Sequence, residues 1–284
     1  MENEQIVCWF SGGITSAIAC KIAIDLYKLD NCRLIFIDTK NEHLDTYRFL
    51  KECEIWYGKK IGIITNENYN SIDEVWYKFK QLNTAHGAIC SSELKRAVRL
   101  KFQKENKYKH QVFGFDINES KRAKAMKLNY SNASPIFTLL LYGYEKKDCF
   151  EILKNANIEP PEMYKKGYHN NNCGKTLCIQ GGIGYWQKAK IEEPEKFDKM
   201  AKIEHELTNL KGKPVTMLKD QSKKAKKSGN QLVFLKKHPD YPEIKCINDM
   251  KGRKVEPLIE CNGFCYTNDL IKRSPTELEI NFTD

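Results

Sequence analysis

No apolar run in this 284-residue chain reaches the roughly 18 residues that a membrane-spanning helix needs, so no membrane partner is expected. The first residues, MENEQIV, lack the basic-then-apolar order of a secretory leader, and a cytoplasmic location is the expectation that follows. Arginine is scarce beside lysine, and a general lysine and asparagine bias is the plainer source of the net charge of +10. A surplus of that sign also suits a polyanion such as tRNA or DNA. The phosphate-binding pattern that ends in Gly-Lys-Ser/Thr is missing, as are any Ser-His-Asp order and any outstanding carboxylate pair. His86, His110 and His169 are isolated and read as core or loop residues. There is no internal repeat. Cysteine is not scarce: there are eleven, and in a reducing compartment they are not expected to form structural disulfides. Cys20, Cys32 and Cys53 read as buried thiols.

The first half alternates between two kinds of segment. Short continuous apolar runs at 5–10, 33–39, 60–66 and 110–116 predict strands covered on both faces. Between them, 15–28, 43–58, 71–82 and 91–106 predict helices. Strand–helix alternation of this kind implies an α/β, Rossmann-like core with a parallel sheet, placed at residues 1–145. Organisation changes after about Tyr142, and residues 146–284 are expected to form a helical, cysteine-bearing lobe. Within it, 211–237 is basic, with KKAKKSGN at its middle, and reads as an exposed loop.

The first strand runs into Ser11-Gly12-Gly13, with Thr15 and Ser16 close behind at the start of a helix. Glycines let the backbone approach an anion, and a helix N-terminus offers free N–H groups at the positive end of its dipole. A plain strand-to-helix turn needs glycine as well, so the turn alone leaves both readings open.

Its neighbours add to it. SGGITS resembles the PP-loop of the adenine nucleotide alpha-hydrolase superfamily. FIDTKNEHLDTYRFL, CSSELKR and GFDINESKRA resemble, in order, three further motifs of phosphoadenosine phosphosulfate reductase-like proteins. The later KKDCFEILKNANIEPPEMYKKGYHNNNC is similar to a phage and bacterial branch of that family. The resemblance implies a site for ATP or a related adenine nucleotide with Mg²⁺, formed by Ser11, Gly12, Gly13, Thr15, Ser16, Asp38, Thr39, Lys95, Gly114, Glu119, Ser120 and Arg122. Two positions depart from it: Lys40 stands where glycine is usual, and Asp116 stands where arginine is usual. A carboxylate repels phosphate, so no phosphate contact is carried to Asp116.

Cys173 and Cys178 in CGKTLC, with Cys261 and Cys265 in ECNGFC, could close a four-thiolate site. Related sulfur-handling enzymes suggest a 4Fe–4S cluster there, with Zn²⁺ as the alternative. Cys90 and Cys261 are the candidate sulfur nucleophiles. The expected activity is adenylating sulfur transfer to a nucleic acid or small acceptor, with a sulfur donor protein as a further partner. The alternatives are a thiol-dependent reductase of adenylylated sulfate and a non-catalytic, nucleotide-dependent nucleic-acid-binding module. Gly12→Asp is expected to block nucleotide binding while leaving the fold intact.

Overall fold

Ile-Val-Cys-Trp-Phe has no polar residue to turn towards water, and it forms the central strand, β1 (Ile6–Phe10), every residue of which is buried. The computed structural model of the protein describes residues 6–84 and 87–258. After β1 come α1 (Ile14–Tyr27), β2 (Cys32–Ile37), α2 (Leu44–Tyr57), β3 (Gly62–Ile64) and α3 (Ile72–Phe79). A short antiparallel pair follows, β4 (Asn83–Thr84) with β5 (Gly87–Ala88). One helical stretch is then built from α4 (Ile89–Ser91), a π-helical turn (Ser92–Arg96) and α5 (Ala97–Glu105). The core continues with β6 (His110–Val112), α6 (Ser120–Asn129), β7 (Pro135–Ile136), α7 (Thr138–Leu141) and α8 (Lys146–Asn155).

The sheet is parallel throughout, in the order β3-β2-β1-β6-β7. The chain runs outward from β1 on one side and resumes on the other at β6, so a crevice opens between the carboxyl ends of β1 and β6. Alternate residues of β1 serve the two faces. Ile6, Cys8 and Phe10 join α1, α2 and α8 in one apolar cluster; Val7 and Trp9 join Phe102, Phe115 and Met126 in the other. All four predicted strands are present. The last stops at Val112, short of Asp116, because the chain turns at Gly114 against α1. The fifth strand, β7, was not predicted; it is two residues long.

A second core follows, with α9 (Glu162–Lys165), α10 (Ile183–Glu192) and α11 (Pro194–Lys211). The basic stretch is not an unstructured loop. It holds β8 (Leu218–Lys219), α12 (Lys223–Ser228) and β9 (Leu232–Phe234), which join β10 (Lys245–Cys246) in a small mixed sheet. Val233, Phe234 and Leu235 supply its buried side, while the lysines of α12 are exposed. Glu204 of α11 is fully buried and accepts the backbone N–H groups of Met217 and Leu235, both at 2.7 Å, tying this sheet to the helix. Burial pushes its carboxyl up to about 8, against the two donors, which favour the charged form.

Packing crosses position 145 in both directions. Cys149 and Leu153 of α8 lie in the core of the large sheet. Trp76, Leu82 and Leu94 lie in the second core, with Trp186 and Phe197.

Candidate nucleotide site

The crevice is lined by Trp9, Ser11, Ser16, Lys95, Arg99 and Gly114, among others. Ser16 organises its floor. Its hydroxyl accepts from Ser11 N at 3.0 Å and from Ser11 Oγ at 2.9 Å, and donates to the carbonyl of Gly13 at 2.8 Å. Gly13 occupies the N-cap position of α1 and supplies no side-chain cap; the Tyr164 hydroxyl accepts from the first helical N–H, that of Ile14, at 3.4 Å, and the positive end of the helix dipole stands at the crevice. Thr15 and Ser16 are both buried.

Two glycines are required by space. A Cβ on Gly114 would lie 2.5 Å from the Cα of Ser16, so the turn after β6 rests directly on α1. Gly12 has φ +81°, and a Cβ there would lie 2.7 Å from Thr46 Cγ2. Gly12→Asp would therefore strain the backbone and collide with α2. The expectation that it leaves the fold intact is corrected on that ground.

Asn171 holds the turn from outside. Its amide donates to the carbonyl of Gly12 at 2.8 Å and to Thr46 Oγ1 at 2.9 Å, and its Oδ1 is buried with no hydrogen-bond partner. The surrounding loop docks on the segment after β2. Asn41 Nδ2 donates to Thr176 Oγ1 at 2.8 Å, and Gly174 N donates to Asn41 O at 2.9 Å. The Asn-Asn-Asn run, polar in sequence, is thus buried against the PP-loop.

Asp38 and Thr39 stand at the carboxyl end of β2 in different roles. Asp38 accepts from Tyr47 Oη at 3.0 and 2.9 Å and from Lys40 N at 2.7 Å. Burial first, then the Asp38 charge, raises the Tyr47 hydroxyl above its ordinary range. Thr39 donates to Glu42 Oε1 at 2.8 Å, and that same oxygen lies 3.8 Å from Lys95 Nζ. Glu42 and Lys95 are both buried. Lys40 has φ +60°, which accounts for the glycine usual at this place in the resembled motif.

Arg122 lies over the Phe115 ring at 4.5 Å and pairs with Glu119 at 2.6 Å, at the start of α6. Ser120 is the first residue of that helix. Asp116 accepts from Asn118 N at 2.9 Å and caps the short 3₁₀ turn Ile117–Glu119. Its place is that of a turn residue, and a phosphate ligand is not needed to explain it.

Ser11, Ser16, Lys95 and Gly114 thus meet in one crevice, with Arg122 on Phe115, a lining residue. Arg99 and Asn171 were missed. Arg99 had a signal: it follows Lys95 by four residues, the spacing that puts two side chains on one helix face. Asn171 sits in the HNNNC end of a motif already singled out, but nothing in that motif assigns it to the turn, since its partner Gly12 lies 159 residues away.

Cys90, Cys173 and Cys178 are buried in the second core. Cys90 is part of α4. Cys261 and Cys265 lie outside the described residues. Among the described residues, no group of three or more His, Cys, Asp or Glu is placed to hold a metal ion. The crevice fits an anion, with two buried cations facing a helix start. His110 meets Ser134 Oγ at 2.8 Å and His169 meets the Val255 carbonyl at 3.1 Å, both as structural partners; His86 lies outside the described residues.

The family model for the phosphoadenosine phosphosulfate reductase domain matches residues 5–178, more than half of the chain. An uncharacterized protein of Methanocaldococcus jannaschii is 24% identical over 214 residues, which are 71% of this chain and 42% of that one. The chain thus spans less than half the length of that relative. Among solved structures, phosphoadenylyl-sulfate reductase of Candida auris, in a phosphate complex, is 16% identical with a TM-score of 0.45, over 61% of this chain and 81% of that one. The NH3-dependent NAD synthetase of Campylobacter jejuni is 14% identical with a TM-score of 0.38, over 74% and 84%. Among the described residues, no helix is long and apolar enough to cross a membrane.

Proposed function

This chain belongs to the phosphoadenosine phosphosulfate reductase domain family, and from that premise we propose that it binds ATP or a related adenylated nucleotide and couples adenylation to sulfur transfer. The observation that carries the reading is the start of α1, with glycine at its N-cap, at a crevice lined by Ser11, Ser16, Lys95 and Arg99. Main-chain N–H groups of Gly12 and Gly13, with the Ser11 N–H already donated to Ser16 Oγ, would take the phosphates. Lys95 and Arg99, out of bulk water, would stabilise the charge that grows on them during reaction. An acceptor oxygen attacks the α-phosphorus; the new P–O bond forms as the bond to pyrophosphate breaks. A sulfur nucleophile then attacks the activated atom of the acceptor, and AMP leaves with the oxygen. Cys90 is the candidate sulfur carrier among the described residues, and its burial means that α4 must open for it to act.

The test is pyrophosphate release from ATP, measured with isothermal titration of ATP on the same sample. Binding with acceptor-dependent pyrophosphate release supports the reading. Sulfite release from an adenylylated sulfate, dependent on a thiol and without pyrophosphate, would replace it with reduction. Binding with neither product would leave a nucleotide-dependent binding module.

A further inference from the structure

Beside the crevice, beyond the 3₁₀ turn Ile117–Glu119, lies a surface that the nucleotide reading does not use. Tyr142 and Tyr144 stack with centroids 5.6 Å apart and planes at 29°. Tyr142 is 50% exposed, Leu141 before it 63%, and Ile117 41%. The Ile117 N–H donates to the Tyr144 carbonyl at 3.1 Å, which fixes the tyrosine turn to the end of β6. A tyrosine backed by a second ring and open to water is a costly surface to leave bare. It is also a preformed face for a planar group.

The charge next to it is mostly positive; Glu145, which follows Tyr144, is paired with Lys147 at 3.1 Å. Ile117 leads into α6, whose exposed side carries Lys121 and Lys124. Among the described residues, neither has a carboxylate within ion-pairing distance. The one acid at that helix start, Glu119, is held by Arg122. Lysines elsewhere are commonly matched, as Lys188 is by Glu192 and Lys199 by Asp73. The surface therefore combines a stacking ring, apolar flanks and unneutralised ammonium groups.

We infer that this surface binds a single-stranded nucleic acid, with an unpaired base on Tyr142 and the neighbouring phosphates on Lys121 and Lys124. The inference deepens the function proposed above and rests on it, since it assigns the acceptor class; the surface is tied to Ile117, two residues past the crevice-lining Phe115. A duplex fits less well, because its bases are already stacked inside it. An anionic bilayer would use the lysines and leave the stacked ring without a role.

The test is fluorescence anisotropy of the whole protein with a labelled single-stranded oligoribonucleotide, the same sequence as a duplex, and phosphatidylserine vesicles, all without ATP. The single strand should bind more tightly than the duplex. Tyr142→Ala should weaken it roughly tenfold, the effect of losing one base–aromatic stack, and Tyr142→Phe should restore it. Lys121→Gln with Lys124→Gln should lower the slope of log K against log salt by about 1.4, from two phosphate contacts on a single strand. Lys224→Gln with Lys227→Gln, on α12, should leave that slope unchanged. The substituted residues are exposed, and circular dichroism checks that each variant is folded. The inference is overturned if the single strand does not bind at low salt, if the duplex binds as well, if the α12 pair carries the salt dependence, or if vesicles bind and Tyr142→Ala changes nothing. Because ATP is absent throughout, failure here leaves nucleotide binding intact, and failure of ATP binding leaves this surface untouched.

Discussion

Asn171 is the clearest place to disturb the PP-loop without touching it. Asn171→Ala removes the donor to the Gly12 carbonyl and the donor to Thr46 Oγ1. Gly12 is buried, so its carbonyl loses that partner away from water. Leaving a buried polar group unsatisfied costs about 1–3 kcal/mol, and the Thr46 hydroxyl can turn to relieve part of its own loss. The expected destabilisation is therefore about 2–3 kcal/mol, read as a shift of the urea midpoint at unchanged slope. ATP affinity should fall with it, because Gly12 keeps its left-handed conformation only while its surroundings hold it; each 1.4 kcal/mol lost there is tenfold in Kd. Thr46→Val keeps shape and loses the hydroxyl. The double variant should show a coupling of about 0.5–1.5 kcal/mol, as expected for groups in direct contact. Asn171→Asp should be worse than Asn171→Ala, since a carboxylate oxygen would face the Gly12 carbonyl. If Asn171→Ala keeps both its urea midpoint and its Kd for ATP, the loop from 170 to 176 does not hold the turn, and this account of the site fails.

Two further perturbations separate structure from binding. Lys95→Met leaves the buried Glu42 without the ammonium 3.8 Å from it, and should cost about 3 kcal/mol in urea unfolding. Adding Glu42→Gln should recover most of that stability and none of the ATP affinity lost by calorimetry. Glu204 predicts a pH dependence of the second core. Its carboxyl is raised from 4.5 to about 8 in the folded protein, so its contribution is complete below pH 4.5. As pH rises the unfolded chain ionises first, and stability falls by about 1.4 kcal/mol per pH unit until the folded group ionises as well. Glu204→Gln should be less stable than the parent at low pH, and the gap should narrow steadily towards pH 8. A gap independent of pH would contradict the raised carboxyl.

What the sequence shows depends on how local each cause is. The strand from Ile6 is wholly apolar and the one from Cys32 is apolar after Arg33, and burial on both faces is written in them. β7, at two residues, carries no period at all and exists only because β6 lies beside it. Val233, Phe234 and Leu235 are a strand signal hidden by the lysines before and after them. At the site, Ser11 to Ser16 and the Lys95–Arg99 spacing are local and visible. The hold of Asn171 on Gly12 is a contact between distant segments, and no window of sequence contains it. Lys40 is a mixed case: its left-handed backbone is real, but a lysine conceals what a glycine would have announced.

The interlocking of the two cores bears on how the chain is made. Trp76, Leu82 and Leu94 leave the ribosome about a hundred residues before Trp186 and Phe197, their partners in the second core. Until translation delivers α10 and α11, a nascent large sheet would carry that apolar side uncovered, a natural holding point for chaperones.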